Sequence, residues 1–79
     1  MPEVRINAGA TQVFPQGQLG DALDLDNRYN VTGTVQYQIS VQPRVTVPIE
    51  PNKDYVIKNI RGEQVQVWNN LPNSLYCVW

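Results

Sequence analysis

The sequence predicts an all-β domain, a small antiparallel β-sandwich or barrel. Three observations carry that expectation. Eleven valines, six prolines and five glycines are spread along the chain, a composition suited to strands broken by turns. No window sustains the 3.6-residue period of an amphipathic helix. The stretch VQYQISVQ alternates strictly from Val35 to Gln42, with Val35, Tyr37, Ile39 and Val41 against Gln36, Gln38, Ser40 and Gln42.

The elements follow in order. EVRIN, residues 3 to 7, reads as a short strand with Val4 and Ile6 on one side, inside an N-terminal stretch (1–10) that also suits an extended arm. TQVF, residues 11 to 14, is a second strand, ended by Pro15 and Gly17. Residues 15 to 30 hold Gln, Gly, Asp and Asn and read as a long loop, the kind that is functional or ordered by a partner. Within it, Leu19 and Leu23 lie four apart and Asp21 can cap a turn, so a short helix or a structured loop is expected there. Val31 to Gln42 is the clearest strand. Alternation resumes at Val45, Val47 and Ile49 after Pro43, either as one strand bent at the proline or through a tight edge connection. EPNKD, residues 50 to 54, is a turn. Tyr55 to Ile60, a turn at Arg61-Gly62, Glu63 to Asn69, NNLPNS and SLYCVW then read as a C-terminal three-strand meander.

Residues 1 to 79 make one domain. A chain of this size buries roughly 60% of its unfolded surface, so help from outside the fold is expected. Cys77 is the only cysteine, which excludes an internal disulfide, and the absence of histidine disfavours a metal. Partner subunits remain. Charged residues are 16% of the chain with a net charge of −1, which gives no general attraction to nucleic acid or an anionic membrane. Polarity comes instead from sixteen Gln and Asn residues, which form hydrogen bonds without the desolvation cost of a full charge. They suit a surface that another protein covers, and equally a solvated one. MPEVRINAG lacks a basic region followed by an apolar core, so no signal peptide is expected. The longest apolar run, LYCVW, is far shorter than the ~20 residues of a membrane helix. The unpaired cysteine fits synthesis in a reducing cytosol.

Catalytic patterns are missing from the sequence. Without histidine there is no Ser-His-Asp or Cys-His pair. Cys77 shares a strand side with Leu75 and Trp79 and reads as a small buried hydrophobe. Asp24, Asp26 and Asn30 mimic part of a calcium loop, but Arg28 and Tyr29 occupy its fifth and sixth positions, so these acids read as solvated or as partners of Arg28. GQLGD lacks the lysine of a phosphate loop. No cofactor and no metal are expected.

With Arg61 and Gly62 as hairpin loop residues, Val56 faces Val67 on one side of the sheet, while Tyr55 faces Trp68 and Ile57 faces Gln66 on the other. The valine side is then the core. The second side leaves Tyr55, Ile57 and Trp68 framed by Gln64 and Gln66, aromatic anchors in a polar frame such as protein interfaces use. A second sheet of the same chain covering that side is the competing arrangement, and a one-residue slip swaps the two sides. Trp79 adds an anchor, either by pairing within the chain or by adding a strand to a neighbour. The candidate partner-binding residues are therefore Tyr55, Ile57, Gln64, Gln66, Trp68 and Trp79.

The stretch VTVPIEPNKDYVIKNIRGEQVQVWNN, about a third of the chain, resembles the core of small all-β structural proteins of tailed-bacteriophage virions, the head decoration (cement) proteins and related attachment pieces. The resemblance rests on the strand–turn pattern. It implies symmetric oligomers that bind at junctions between capsid subunits, and it transfers no functional residue. The expected function is thus a non-enzymatic virion component, made in the host cytoplasm, that stabilises a capsid or tail lattice through protein–protein contacts. Its partners would be other virion proteins and further copies of itself, with no nucleic acid and no membrane. A carbohydrate-binding or adhesin-like domain, using Trp68, Tyr55 and Tyr37 to stack on sugars, is the first alternative. A small inhibitor or regulatory subunit is the second.

Overall fold

The computed structural model describes residues 2–79. Eight strands form in sequence: β1 (Glu3–Ile6), β2 (Thr11–Phe14), β3 (Leu23–Asp26), β4 (Gly33–Ile39), β5 (Val45–Ile49), β6 (Asp54–Ile57), β7 (Val65–Asn69) and β8 (Leu75–Val78). Among the described residues there is no helix, and so none long and apolar enough to cross a membrane. The strands make two four-stranded antiparallel sheets, ordered β1-β8-β3-β6 and β2-β7-β4-β5. The all-β sandwich expected from composition and alternation is the fold observed.

The connectivity differs from the expected C-terminal meander. The strands pair as β1 with β8, β2 with β7, β3 with β6 and β4 with β5. That is one long hairpin, tipped at β4–β5, rolled over into two sheets, the jelly-roll connectivity. Only β4 and β5 are neighbours both in sequence and in space. β6, β7 and β8 alternate between sheets, so the Arg61-Gly62 turn is a crossover and not a hairpin. Its conformation was legible: Gly62 takes φ of 72° and Arg61 56°. Asn59 is left-handed as well, and Ile60 between them is fully buried. The Ile60 N–H donates to Asp21 O at 3.0 Å and the Gly62 N–H to Gly20 O at 2.9 Å, which pins the crossover to the segment before β3.

Because β6 and β7 lie in different sheets, their inward sides are set independently. Ile57 is 1% exposed and Val56 is 40% exposed, the reverse of the hairpin reading, while Val67 is buried as expected. Residues 19 to 27 hold no helix. LDLD has a period of two, so Leu23 and Leu25 enter the core while Asp24 and Asp26 point out, and β3 divides the expected long loop. The stretch read as a possible arm contains β1, in register with β8 from Glu3 opposite Val78 to Ile6 opposite Leu75. Val41 is exposed in the β4–β5 turn, so the proline region is the tight connection and not a bent strand.

The core lies between the sheets. Phe14, Leu23, Leu25, Val35, Ile57, Val65, Val67, Leu75 and Cys77 are among its buried side chains, with Leu19, Ile60 and Leu71 added from loops. The strands alternate between inward and outward positions, the inward ones mostly apolar, as sandwich packing requires, while Val13, Val56, Trp68 and Val78 are apolar residues at outward positions.

Candidate functional site

The two outer faces have different chemistry. The face of β2-β7-β4-β5 is built of two rows. Register puts Thr11, Trp68, Gln36 and Thr46 in one, and Val13, Gln66 and Gln38 in the other. Arg44, just before β5, lays its guanidinium over the Trp68 ring, 3.8 Å from the centroid, and its Nη1 donates to Gln36 Oε1 at 3.3 Å. Gln36 Nε2 donates to Thr46 Oγ1 at 3.1 Å, and Gln38 Nε2 to Gln42 O at 2.9 Å. The rows carry no carboxylate. Val13 is 44% exposed beside Gln66. The result is an indole clamped by a cation and held in a lattice of amides and hydroxyls.

The face of β1-β8-β3-β6 is acidic. Its rows are Glu3, Val78, Asp24, Val56 and Arg5, Tyr76, Asp26, Asp54. Arg28 bridges Glu3 and Asp26, the latter at 2.9 Å, and stacks on Tyr76 at 4.1 Å from the ring centroid. The Arg28 hydrogen bond holds the Glu3 carboxyl below its ordinary pKa, and its two carboxylates raise that of Arg28. Asp24 is pushed up to about 6, first by burial, then by the neighbouring Asp54 carboxylate and by Asp26. Its Oδ1 is out of solvent and lacks a hydrogen-bond partner. Among the described residues no group of three or more acidic, cysteine or histidine side chains is placed to hold a metal ion.

The expected binding residues divide accordingly. Gln66 and Trp68 share the amide face, and exposed Gln64 precedes them at the same parity. Ile57 is core, a correction that follows from β6 belonging to the other sheet. Tyr55 and Trp79 pack against the core from its margin. Trp79 meets Phe14 edge-on at 5.3 Å between centroids, and its backbone N–H donates to Pro2 O, both contacts within the chain. Tyr37 and Tyr55 face each other between the sheets at 6.5 Å, away from Trp68. Burial, followed by the Tyr55 neighbour, raises the Tyr37 phenol. Cys77 is buried, and desolvation, with a smaller push from Asp24, moves its thiol up to about 12, so it stays protonated.

The site residues not anticipated are Gln36, Gln38, Arg44 and Thr46. Gln36 and Gln38 had a signal in VQYQISVQ, as outward positions of its alternation, whereas Arg44 and Thr46 lie beyond that stretch and reach the face through the pairing of β5 with β4.

The fold and the site together define a small jelly-roll sandwich with one amide face and one acidic face. No protein family, no curated protein and no solved structure matches the chain.

Proposed function

We propose that the chain is a non-enzymatic structural component of a virion, which binds a capsid or tail lattice through the Trp68 face. One observation carries the reading: an indole fixed by Arg44 within a carboxylate-free field of Gln36, Gln38, Gln66, Thr11 and Thr46. Interface centres are depleted of charge and enriched in aromatic residues and arginine, and the amides around them are desolvated cheaply. The strands hold these side chains in place, so little conformational entropy is lost on binding. The virion setting is supported by analogy: jelly rolls recur in viral capsid domains, as they do in lectins. The phage decoration resemblance points the same way.

The carbohydrate alternative has less support. Arg44 covers one face of the Trp68 ring, and Tyr37 and Tyr55 lie between the sheets, so the three aromatics form no common stacking platform.

The test is to express the tagged chain together with its genomic neighbours and purify the particles formed on a density gradient. The chain should co-migrate with particles. Trp68→Ala should abolish co-migration while changing stability by less than about 1 kcal/mol, since the side chain sits on the outer face. Saturable binding on a glycan array, with no association to particles, would instead establish the lectin-like alternative.

A further inference from the structure

β6 is the outermost strand of its sheet, with one side unpaired. The Asn27 N–H donates to Lys53 O at 3.0 Å and continues the β3–β6 register. Residues 53, 55 and 57 therefore direct their backbone groups at β3, while Asp54, Val56 and Lys58 direct theirs outward. All three are exposed. Natural sheets blunt such edges with proline, bulges or clustered charge. The neighbouring edge strand β5 carries Pro48, whereas β6 has no proline, and its outward residues Asp54 and Val56 are followed just past its end by Lys58, so the outward positions read acidic, apolar, basic.

We propose that β6 is a self-pairing edge: two copies of the chain join antiparallel about a twofold axis at Val56, fusing their acidic sheets into one. Register supplies the argument. Antiparallel pairing opposes outward residues to outward residues. Only the register centred on Val56 matches the whole outward set against itself, valine against valine and Asp54 against the partner's Lys58 at both ends. A slip of two residues opposes charge to valine. A slip of four opposes like charge to like, which destabilises.

A second observation lies on the same side of the sandwich. A cavity of about 450 Å³ opens there, with Tyr37, Ile39, Val45, Lys58 and Arg61 in its lining. Neither cation has an ion-pair partner among the described residues. The proposed pairing brings the partner's Asp54 to Lys58 and supplies the missing acid. This interface shares no residue with the Trp68 face and stands independently of the lattice-binding reading.

The experiment is sedimentation velocity on the purified full chain, up to about 1 mM so that weak association registers. A reversible dimer is expected. Asp54→Lys and Lys58→Asp should each weaken it by roughly tenfold or more, because the twofold axis counts each change twice. The double swap should recover wild-type affinity to within about threefold. Val56→Pro should leave a folded monomer, since the Val56 N–H points outward and edge prolines are tolerated. Trp68→Ala should dimerise normally, which separates this interface from lattice binding. A wild type that stays monomeric over the whole range overturns the proposal, as does a dimer indifferent to Val56→Pro, or a folded double swap that does not recover.

Discussion

Asn69 ties the β1–β2 and β7–β8 loops together. Its amide nitrogen donates to Ile6 O at 3.0 Å, Asn7 O at 3.2 Å and Asn73 O at 2.9 Å, and its Oδ1 accepts from the Leu71 N–H at 3.0 Å. Asn27 does the same for Val31 O and Glu50 O, and its oxygen receives Asn73 Nδ2. Both asparagines are buried, so losing either leaves carbonyls without water or a partner. Asn69→Ala should cost about 2–4 kcal/mol, as several buried groups lose their partners. That corresponds to a fall of roughly 10–20 °C in Tm for a domain of this size. Thermal melts followed by circular dichroism check it, with exposed Asn70→Ala as the control that stays within about 0.5 kcal/mol. A shift no larger than the control's would mean the loops close without this amide. The sequence displayed its amides but did not sort them. Asn69 carries the inward parity of Val65 and Val67, whereas Gln66 shares the outward parity of Trp68, and that two-residue period is the signal that separates staple from surface.

At the scale of strands, β4 and β5 were each legible from their alternation, but Pro43 between them suited a bend in one strand as well as a tight connection, and only the register of Gly33–Tyr37 against Val45–Ile49 makes them a hairpin. β1, β2, β7 and β8 were each visible as strands, but nothing in their own residues names a partner on the far side of the chain. The pairing of β1 with β8 closes a loop of almost the full sequence, and only the nested roll as a whole selects it. This changes what the N-terminal stretch is. Val4 and Ile6 face the core, Ile6 is 2% exposed, and the Ile6 and Asn7 carbonyls receive Asn69. Removing residues 1–8 therefore strips an edge from the first sheet and bares β8, contrary to the behaviour of a detachable arm. Loss of the isoleucine alone is worth about 2–5 kcal/mol, comparable to the whole stability of a marginal domain. The truncated chain should lose most of its β-sheet dichroism at 25 °C. A truncation that melts cooperatively near the wild-type Tm would show that β1 is dispensable.

For the molecule as a whole, the unequal faces set how stability responds to pH. Asp24 titrates near 6 in the folded chain, against an ordinary value of 3.8, chiefly because burial and then Asp54 oppose its ionisation. The folded state thus holds a proton that the unfolded state releases. Asp24 favours folding fully below its ordinary pKa, and that contribution disappears as pH rises from about 4 to about 6. Glu3 works in the opposite sense: its lowered pKa contributes stability above the ordinary glutamate range, lost as pH falls through the folded value. The two contributions therefore run against each other: that of Glu3 grows with pH up to the ordinary glutamate range, and that of Asp24 declines from about 4 to about 6. Because the Asp24 side chain is only partly buried, solvent screens the effect to below about 1 kcal/mol, a few degrees in Tm. Asp24→Asn keeps the shape and removes the titration. Compared at dilutions where the wild type is monomeric, the variant should be the more stable protein at pH 8 and should lose the decline between pH 4 and pH 6. Melts across that range decide it: a variant whose profile tracks the wild type means the decline comes from other carboxylates, and the crowding of Asp24, Asp26 and Asp54 on one face is not what limits stability at neutral pH.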